Sequence, residues 1–262
     1  MARRKVPLIE LLASLHPERP SKELFAEILR GGVRVDGETI VKPGTTVPAD
    51  AAITIRERRR FVSRGGEKLA RALDEWRIDC AGRVWIDAGC STGGFTDCLL
   101  SRGAAIVHAV DVGSNQLDWR LRGDPRVRTM ERTNVMRLRT ADLDPPADRA
   151  VADLSFRSLR GAAAHILGLA REGCGIFLVK PQFEWEDPPE EFDGIVRQGS
   201  AVREILRSLA GDLQEESVTV VAAMPSPFRG RKGNREFLFL LRRGTRGRPD
   251  RLPEILESLV LE

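Results

Sequence analysis

Nowhere in these 262 residues does an apolar run approach the roughly 20 positions that a bilayer-spanning helix requires, and the longest, such as Phe237 to Leu241, fall far short. A helical membrane protein is excluded on that ground, and no charged stretch followed by an apolar one marks an N-terminal export signal. The chain is expected to be soluble, to stay in the cytoplasm and to have no membrane partner. Metal-ligand residues are scarce: Cys80, Cys90, Cys98 and Cys174 lack Cys-x-x-Cys spacing, and His16, His108 and His165 do not cluster with them. No metal site is expected, and the thiols read as reduced, mostly buried small hydrophobes. Also missing are Gly-x-Gly-x-x-Gly, the signature of dinucleotide enzymes, and any glycine-rich loop ending in Gly-Lys-Ser/Thr. Internal repeats are absent as well.

What is present is a hydrophobic content of 42%, enough for a substantial core in one large domain or in a large one with a small companion. The formal charge of +4 is uneven: residues 1–64 hold 13 Lys/Arg against 8 Asp/Glu, leaving 29 against 30 for the remainder. A polyanion would be drawn to that first quarter, although a solvated basic face has the same composition. The pattern there predicts helices over Leu8–Leu15 and Lys22–Arg30, the second capped by Ser21, buried through Leu24, Phe25, Ile28 and Leu29, and ended by Gly31-Gly32. Val33-Arg34-Val35 alternates as a strand into an Asp36-Gly37 turn, and Ala52 to Ile55 supplies another. On Ser21-Lys22 and Arg34-Val35-Asp36-Gly37 this segment resembles the RNA-binding domain first described in ribosomal small-subunit protein S4, though Lys5 to Ile9 lacks the Arg-Leu-Asp opening common there. The resemblance implies a small α+β RNA-binding domain over residues 1–58, with Ser21, Lys22 and Arg34 facing RNA. Glu57 to Arg60 reads as a charged connector that overlaps a basic linker placed at residues 59–64.

From residue 65 to 262 the pattern changes. A helix carrying Leu69, Ala70, Leu73 and Trp76 is followed by seven apolar runs: Val84 to Ile86, Ala105 to Val110, Val127 to Met130, Ala150 to Ala152, Gly175 to Val179, Ser217 to Ala223 and Glu236 to Leu241. Helical stretches Phe95–Arg102, Ser158–Arg171 and Ala201–Leu213 separate several of them, which predicts an α/β fold with a seven-stranded, mostly parallel sheet covered on both faces. The last two runs lack a crossover helix and are open to antiparallel pairing. Asp87-Ala88-Gly89-Cys90-Ser91-Thr92-Gly93-Gly94-Phe95-Thr96-Asp97 joins the first strand to a helix through a small-residue turn, where backbone N–H groups can approach a ligand. Asp111 ends the next strand and is placed to hold a ribose diol. With both phosphate-cradle signatures missing, a nucleoside without phosphates, such as S-adenosylmethionine, fits this turn better than NAD or ATP, and an ordinary strand-to-helix turn is the plain alternative.

Ligands of open α/β sheets bind outside the carboxyl ends of the strands, where Asp153 and Lys180 each follow an apolar run. A lysine straight after a buried strand loses hydration unless it is paired or functional, and Asp153 offers an orienting partner. The chain resembles the TlyA, or haemolysin A, family of bacterial 2′-O-ribose rRNA methyltransferases, in which an FtsJ-like catalytic domain follows an S4-like module. The resemblance covers nearly the whole chain. It is carried by Val62-Ser63-Arg64-Gly65-Gly66-Glu67-Lys68-Leu69, the Asp87 to Asp97 turn, Gln116-Leu117-Asp118-Trp119, Glu131-Arg132-Thr133-Asn134, Asp153-Leu154-Ser155-Phe156, Val179-Lys180-Pro181-Gln182-Phe183-Glu184 and Gly233-Asn234-Arg235-Glu236. It implies a Rossmann-like domain that uses S-adenosylmethionine on cytidine in 16S rRNA, 23S rRNA or both, within ribosomal subunits, acting as a monomer or weak oligomer. The family's Lys-Asp-Lys-Glu tetrad falls on Lys68, Asp153, Lys180 and Glu236. Cofactor positions fall on Gly89, Cys90, Ser91, Thr92, Gly93, Asp111, Asn134 and Asp153, with Cys90 where alanine is usual. Further RNA contacts are implied for Arg60, Arg64, Arg229, Arg231, Lys232 and Arg235, which could equally be solvated charges.

Rival chemistries lack their signatures. Amino methylation of bases commonly uses an Asn/Asp-Pro-Pro-aromatic segment and cytosine C5 methylation a cysteine often preceded by proline; neither pattern occurs. The name haemolysin raises a membrane-active protein as an alternative, against which the short apolar runs speak. An RNA-binding protein without catalysis is the other alternative, and the complete tetrad speaks against it.

Overall fold

The computed structural model describes residues 4–55 and 60–244, together with Glu254, Leu256, Glu257 and Leu259. Most of the connector expected at Glu57 to Arg60 lies outside the described residues. The chain divides into two compact units, Met1–Arg59 and Arg60–Glu262. Among the described residues no helix is long and apolar enough to cross a membrane.

The first unit runs β1 (Lys5–Pro7), α1 (Leu8–Leu15), α2 (Ser21–Leu29), β2 (Val33–Val35), β3 (Glu38–Ile40), β4 (Thr46–Pro48) and β5 (Ile53–Ile55). Strand β1 pairs antiparallel with β4, and β3, β2 and β5 form a second small antiparallel sheet. Asp36 and Gly37, with φ of 51° and 88°, make the two-residue turn from β2 to β3, as an Asp-Gly pair favours. Leu8, Leu11, Leu12, Leu24 and Ile28 pack on Val33, Val35 and Val47. Two expectations for α2 are corrected. Ser21 is its first helical residue, Pro20 holds the cap position and no side-chain cap bond forms. Phe25 and Leu29 are 47% and 56% exposed, because the small core, built with α1 and the strands, takes in only the Leu24/Ile28 stripe of α2.

The second unit opens with α3 (Arg64–Glu75), capped by the Ser63 hydroxyl, which accepts the Gly65 N–H at 3.3 Å. Within the stretch expected as linker, Phe61 is buried and the Val62 N–H bonds the Asp97 carboxylate at 2.8 Å. There follow β6 (Val84–Ala88), α4 (Gly94–Ser101), β7 (Ile106–Val110), α5 (Trp119–Arg122), β8 (Val127–Met130), β9 (Arg149–Ala152), α6 (Ala162–Gly168), β10 (Cys174–Val179), α7 (Pro181–Glu184), α8 (Gly199–Glu215), β11 (Val218–Pro225) and β12 (Phe237–Arg243). These strands form one seven-stranded sheet in the order β11-β12-β10-β9-β6-β7-β8, mostly parallel, with β12 antiparallel to both neighbours.

Alternation along the strands sends Ile86, Ala88, Ala150, Ala152, Phe177 and Val179 to one face, where they meet Ala163, Ile166, Leu206 and Leu209 of α6 and α8. Trp85, Val107, Val151, Ile176 and Leu178 go to the other, against Leu69, Leu73, Phe95 and Leu99 of α3 and α4. Both faces are thus buried, which is why every strand of this sheet is legible as an apolar run. The helix expected over Ser158–Arg171 is only α6, since residues 158–160 serve the polar clamp described below. From β6 the chain builds outward in both directions, so the topological switch lies between β6 and β9.

Candidate active site

Strand register, more than any one motif, assembles the site. Ala88 pairs with both Ala152 and Val110, and Val179 pairs with Phe237. The residues just beyond those pairs, Glu236, Lys180, Asp153, Gly89 and Asp111, therefore form a row along one edge of the sheet, at the carboxyl ends of β10, β9, β6 and β7 and the amino end of antiparallel β12.

The turn after β6 is drawn tightly against its neighbours. Gly89 and Cys90 donate their N–H groups to the Val110 carbonyl at 2.8 and 3.1 Å, and the Asp153 N–H returns to the Ala88 carbonyl at 3.0 Å. Asp111 accepts the Ser91 N–H on one oxygen at 2.8 Å and the Gly113 N–H on the other at 2.7 Å. Each oxygen keeps a lone pair for a further donor. Gly93, at φ 92°, starts α4 without a side-chain cap, and a Cβ there would fall 2.3 Å from a Leu121 methyl. Cys90 is buried in the core and its thiol pKa is raised by that burial, while its backbone N–H and carbonyl serve the turn itself. Asn134 is exposed, and its side-chain oxygen accepts the Met136 N–H at 3.0 Å.

Asp87, just ahead of the turn, is fully buried with one oxygen bonded to the Thr96 hydroxyl at 2.6 Å and the other without a hydrogen-bond partner. Burial first, and the Asp153 charge to a lesser degree, push its pKa from 3.8 up to about 7, against the Thr96 bond. The folded chain thus holds this proton more tightly than the unfolded chain, so stability falls as pH rises from about 4 to about 7 and levels off above. Asp87→Asn, which cannot ionise, is expected to flatten that slope, as read from urea midpoints at pH 5 and pH 8; an unaltered slope would assign it to other groups.

The tetrad forms two ion pairs. Lys180 Nζ lies 2.7 Å from Asp153 Oδ1, and its aligned hydrogen bonds go to the Leu154 carbonyl at 2.9 Å and the Ser155 hydroxyl at 3.1 Å. Lys68 Nζ lies 2.5 Å from Glu236 Oε2, with both side chains nearly buried. Lys68 reaches the edge because α3 and α4 begin in close contact: a Cβ on Gly94 would sit 2.1 Å from the Ser63 hydroxyl and 2.9 Å from the Gly66 nitrogen. Of the basic residues singled out, Arg64 lies one helical turn before Lys68 and is exposed, while Arg229, Arg231 and Lys232 are exposed and Arg235 half-buried on the loop entering Glu236. Arg60 stacks on the Phe61 ring, 5.0 Å from its centroid. Ser21, Lys22 and Arg34 are exposed on the first unit.

Several contributors were not anticipated. Buried Glu184 accepts the Ser158 hydroxyl at 2.5 Å and the Leu159 N–H at 3.0 Å, with Arg160 at 3.4 Å, and Arg160 is held in turn by Asp212 at 2.7 Å. That clamp fixes the far end of the short arch from Asp153 to Arg157 that wraps Lys180. Asn234, also buried, accepts the Val196 N–H at 2.8 Å and donates to the Gly194 carbonyl at 2.7 Å, anchoring the approach to Glu236. Val112, directly after Asp111, is 71% exposed, and Phe156 is 92% exposed with φ at 59°. A separate concavity of about 580 Å³, lined by Trp185, Phe192, Arg197 and Glu204 among others, includes no residue of the row.

Comparison with known proteins identifies relatives of this chain. The FtsJ-like methyltransferase family profile matches residues 61–243. The 16S/23S rRNA (cytidine-2′-O)-methyltransferase TlyA of Mycobacterium tuberculosis is 42% identical over 229 residues, covering 86% of this chain and 85% of that protein. The 23S rRNA (cytidine-2′-O)-methyltransferase TlyA of Campylobacter jejuni is 30% identical over 180 residues, 68% of this chain and 70% of its own. A solved structure from Streptococcus thermophilus, described under the name hemolysin, superposes with a TM-score of 0.73 at 33% identity, covering 99% of this chain and 95% of that one. The chain belongs to the TlyA group of the FtsJ-like methyltransferases.

Proposed function

We propose that this protein methylates the ribose 2′-oxygen of cytidine in ribosomal RNA, 16S, 23S or both, using S-adenosylmethionine. The observation that carries the reading is the row of Lys180–Asp153 and Lys68–Glu236 pairs beside a glycine turn braced by a carboxylate, in a chain with these relatives. The residues fit the cofactor: Asp111 has lone pairs for a ribose diol, exposed Val112 offers an apolar surface to a purine, and Gly89 and Gly93 let the turn pack tightly against Asp153 and Leu121, which fixes its shape. When bound, S-adenosylmethionine supplies an electrophilic methyl on a positively charged sulfur.

Lys180, held by Asp153, orients the 2′-oxygen and stabilises the negative charge that grows on it as its proton passes to solvent water and the methyl group moves from sulfur to oxygen. Proton removal alone contributes about 10²–10⁴-fold, whereas alignment of reactants contributes roughly 7–11 kcal/mol, so positioning is the larger share of what these residues do. Lys68 and Glu236 neutralise each other and set the local field around the hydroxyl. Arg64, Arg229, Arg231, Lys232 and Arg235 surround the edge with phosphate-binding charge.

The first unit, as an S4-like RNA-binding domain, captures substrate through Ser21, Lys22 and Arg34. Reversing Lys22 and Arg34 to glutamate is expected to raise KM for ribosomal subunits and lower the salt dependence of binding by about one phosphate contact per residue, with kcat little changed. The test uses purified protein, labelled S-adenosylmethionine and subunits lacking the modification, followed by mapping of 2′-O-methyl groups. Unaltered KM in the charge-reversal variant would remove the first unit from substrate capture. Wild-type protein that leaks liposomes and transfers no methyl group would replace the reading altogether.

A further inference from the structure

We propose that Ser155 stands in for the substrate: in the free enzyme its hydroxyl occupies the place on Lys180 that the reacting ribose 2′-oxygen takes when RNA binds. The inference rests on the methyl-transfer reading given above. A lysine ammonium has three N–H donors and no acceptor. Around Lys180 Nζ three oxygens lie within reach, Asp153 Oδ1 at 2.7 Å, the Leu154 carbonyl at 2.9 Å and Ser155 Oγ at 3.1 Å. Two of the donors make aligned hydrogen bonds to Leu154 and Ser155 and the third faces the Asp153 ion pair, so a substrate oxygen gains an aligned N–H by displacing one of these partners.

The three differ in how readily they leave. Asp153 is the counter-charge of a lysine whose side chain is only 11% exposed, and its departure would strand an ammonium largely out of water. The Leu154 carbonyl belongs to the backbone of the arch, whose ends are fixed by the Asp153 N–H to Ala88 bond and by the Glu184 clamp. The Ser155 hydroxyl moves by rotation about one bond, makes the longest of the three contacts, and sits on an exposed residue where water can replace Lys180. Its neighbour Phe156 is almost wholly exposed and rests on the Phe183 ring, 5.5 Å between centroids, so that end of the arch is held by a surface ring contact and not by burial. The hydroxyl is also chemically the same kind of group as the one it yields to, a neutral alcohol that both donates and accepts. Before RNA arrives it keeps the ammonium aimed along the strand edge.

This exchange predicts a kinetic pattern unlike that of a catalytic hydroxyl. In the full-length protein assayed on ribosomal subunits, Ser155→Ala is expected to keep kcat within about twofold of wild type, because the slot is filled by substrate during turnover. KM for the subunits should fall by about three- to tenfold, the equivalent of one competing hydrogen bond. Ser155→Thr, which retains the hydroxyl, should restore the wild-type KM. A tenfold or greater loss of kcat in Ser155→Ala would place the hydroxyl in the reaction itself and overturn the proposal, as would an unchanged or raised KM. Failure of the wild-type protein to methylate the subunits would instead count against the methyl-transfer reading, independently of the variants.

Discussion

Lys180→Ala is expected to lower methyl transfer by about 10²–10⁴-fold while changing the dissociation constant of S-adenosylmethionine less than threefold. The separation follows from which contacts hold which part of the row. The glycine turn is braced by Val110, Ser91, Gly113 and Asp111, and none of those bonds passes through Lys180. Removing the ammonium leaves Asp153 without its counter-charge, yet that carboxyl is 27% exposed, so water can take part of the load. What is lost is the group that would aim the 2′-oxygen and offset its growing charge. Lys180→Arg should recover little, since a planar fork cannot point a single donor into the space bounded by Leu154 and Ser155. Single-turnover transfer from labelled cofactor, with calorimetric titration of the unreactive product S-adenosylhomocysteine, separates the two quantities. A folded Lys180→Ala protein that no longer binds the cofactor would move Lys180 from the substrate side of the row to the cofactor side.

The legible parts of this protein are those whose physics is local or repetitive. Strands buried on both faces must be apolar along their whole length, so Val84 to Ile86 or Gly175 to Val179 stand out in a linear reading. The three-residue strands β1 and β4 do not: each contains a proline and has too few positions to show a period. Phe25 and Leu29 look like core because helical spacing says which side of a helix they share with Leu24, and says nothing about how wide a surface the rest of the unit offers that side. Asp153 and Lys180 are legible as polar residues that end apolar strands and can pair; Lys68 and Glu236 are named only through motif resemblance, and their pairing with each other depends on strand order and register. Glu184 and Asn234 are harder still. A buried acid and a buried amide inside polar motifs have the composition of surface residues, and only the N–H and hydroxyl groups they satisfy reveal that they brace the two approaches to the edge. The helix over-extended to Ser158 fails for the same reason: apolar periodicity does not show that Ser158 and Arg160 belong to that clamp.

Gly89→Ala should damage cofactor binding and turnover together, by at least about tenfold each, and it is the substitution that best tests whether the turn and the tetrad are one mechanical unit. Two costs coincide at this position. The backbone φ of 82° disfavours any residue with a Cβ, at about 1–3 kcal/mol. A Cβ would also lie 2.7 Å from the Asp153 carbonyl oxygen and 3.1 Å from its carbon, both backbone atoms that cannot swing aside. Relief requires β6 and β9 to part at their carboxyl ends, which shifts the turn away from Asp111 and shifts Asp153 away from Lys180. Displacement of about 1 Å in a reacting geometry can cost on the order of 10²-fold in rate. Gly82 supplies the control: its φ of 67° carries a similar backbone penalty, but a Cβ there meets nothing within 4 Å. Gly82→Ala should therefore lose some thermal stability while binding cofactor and methylating RNA as wild type does. If the two variants behaved alike at matched stability, backbone strain alone would account for Gly89, and the close approach of the turn to Asp153 would have no part in the chemistry.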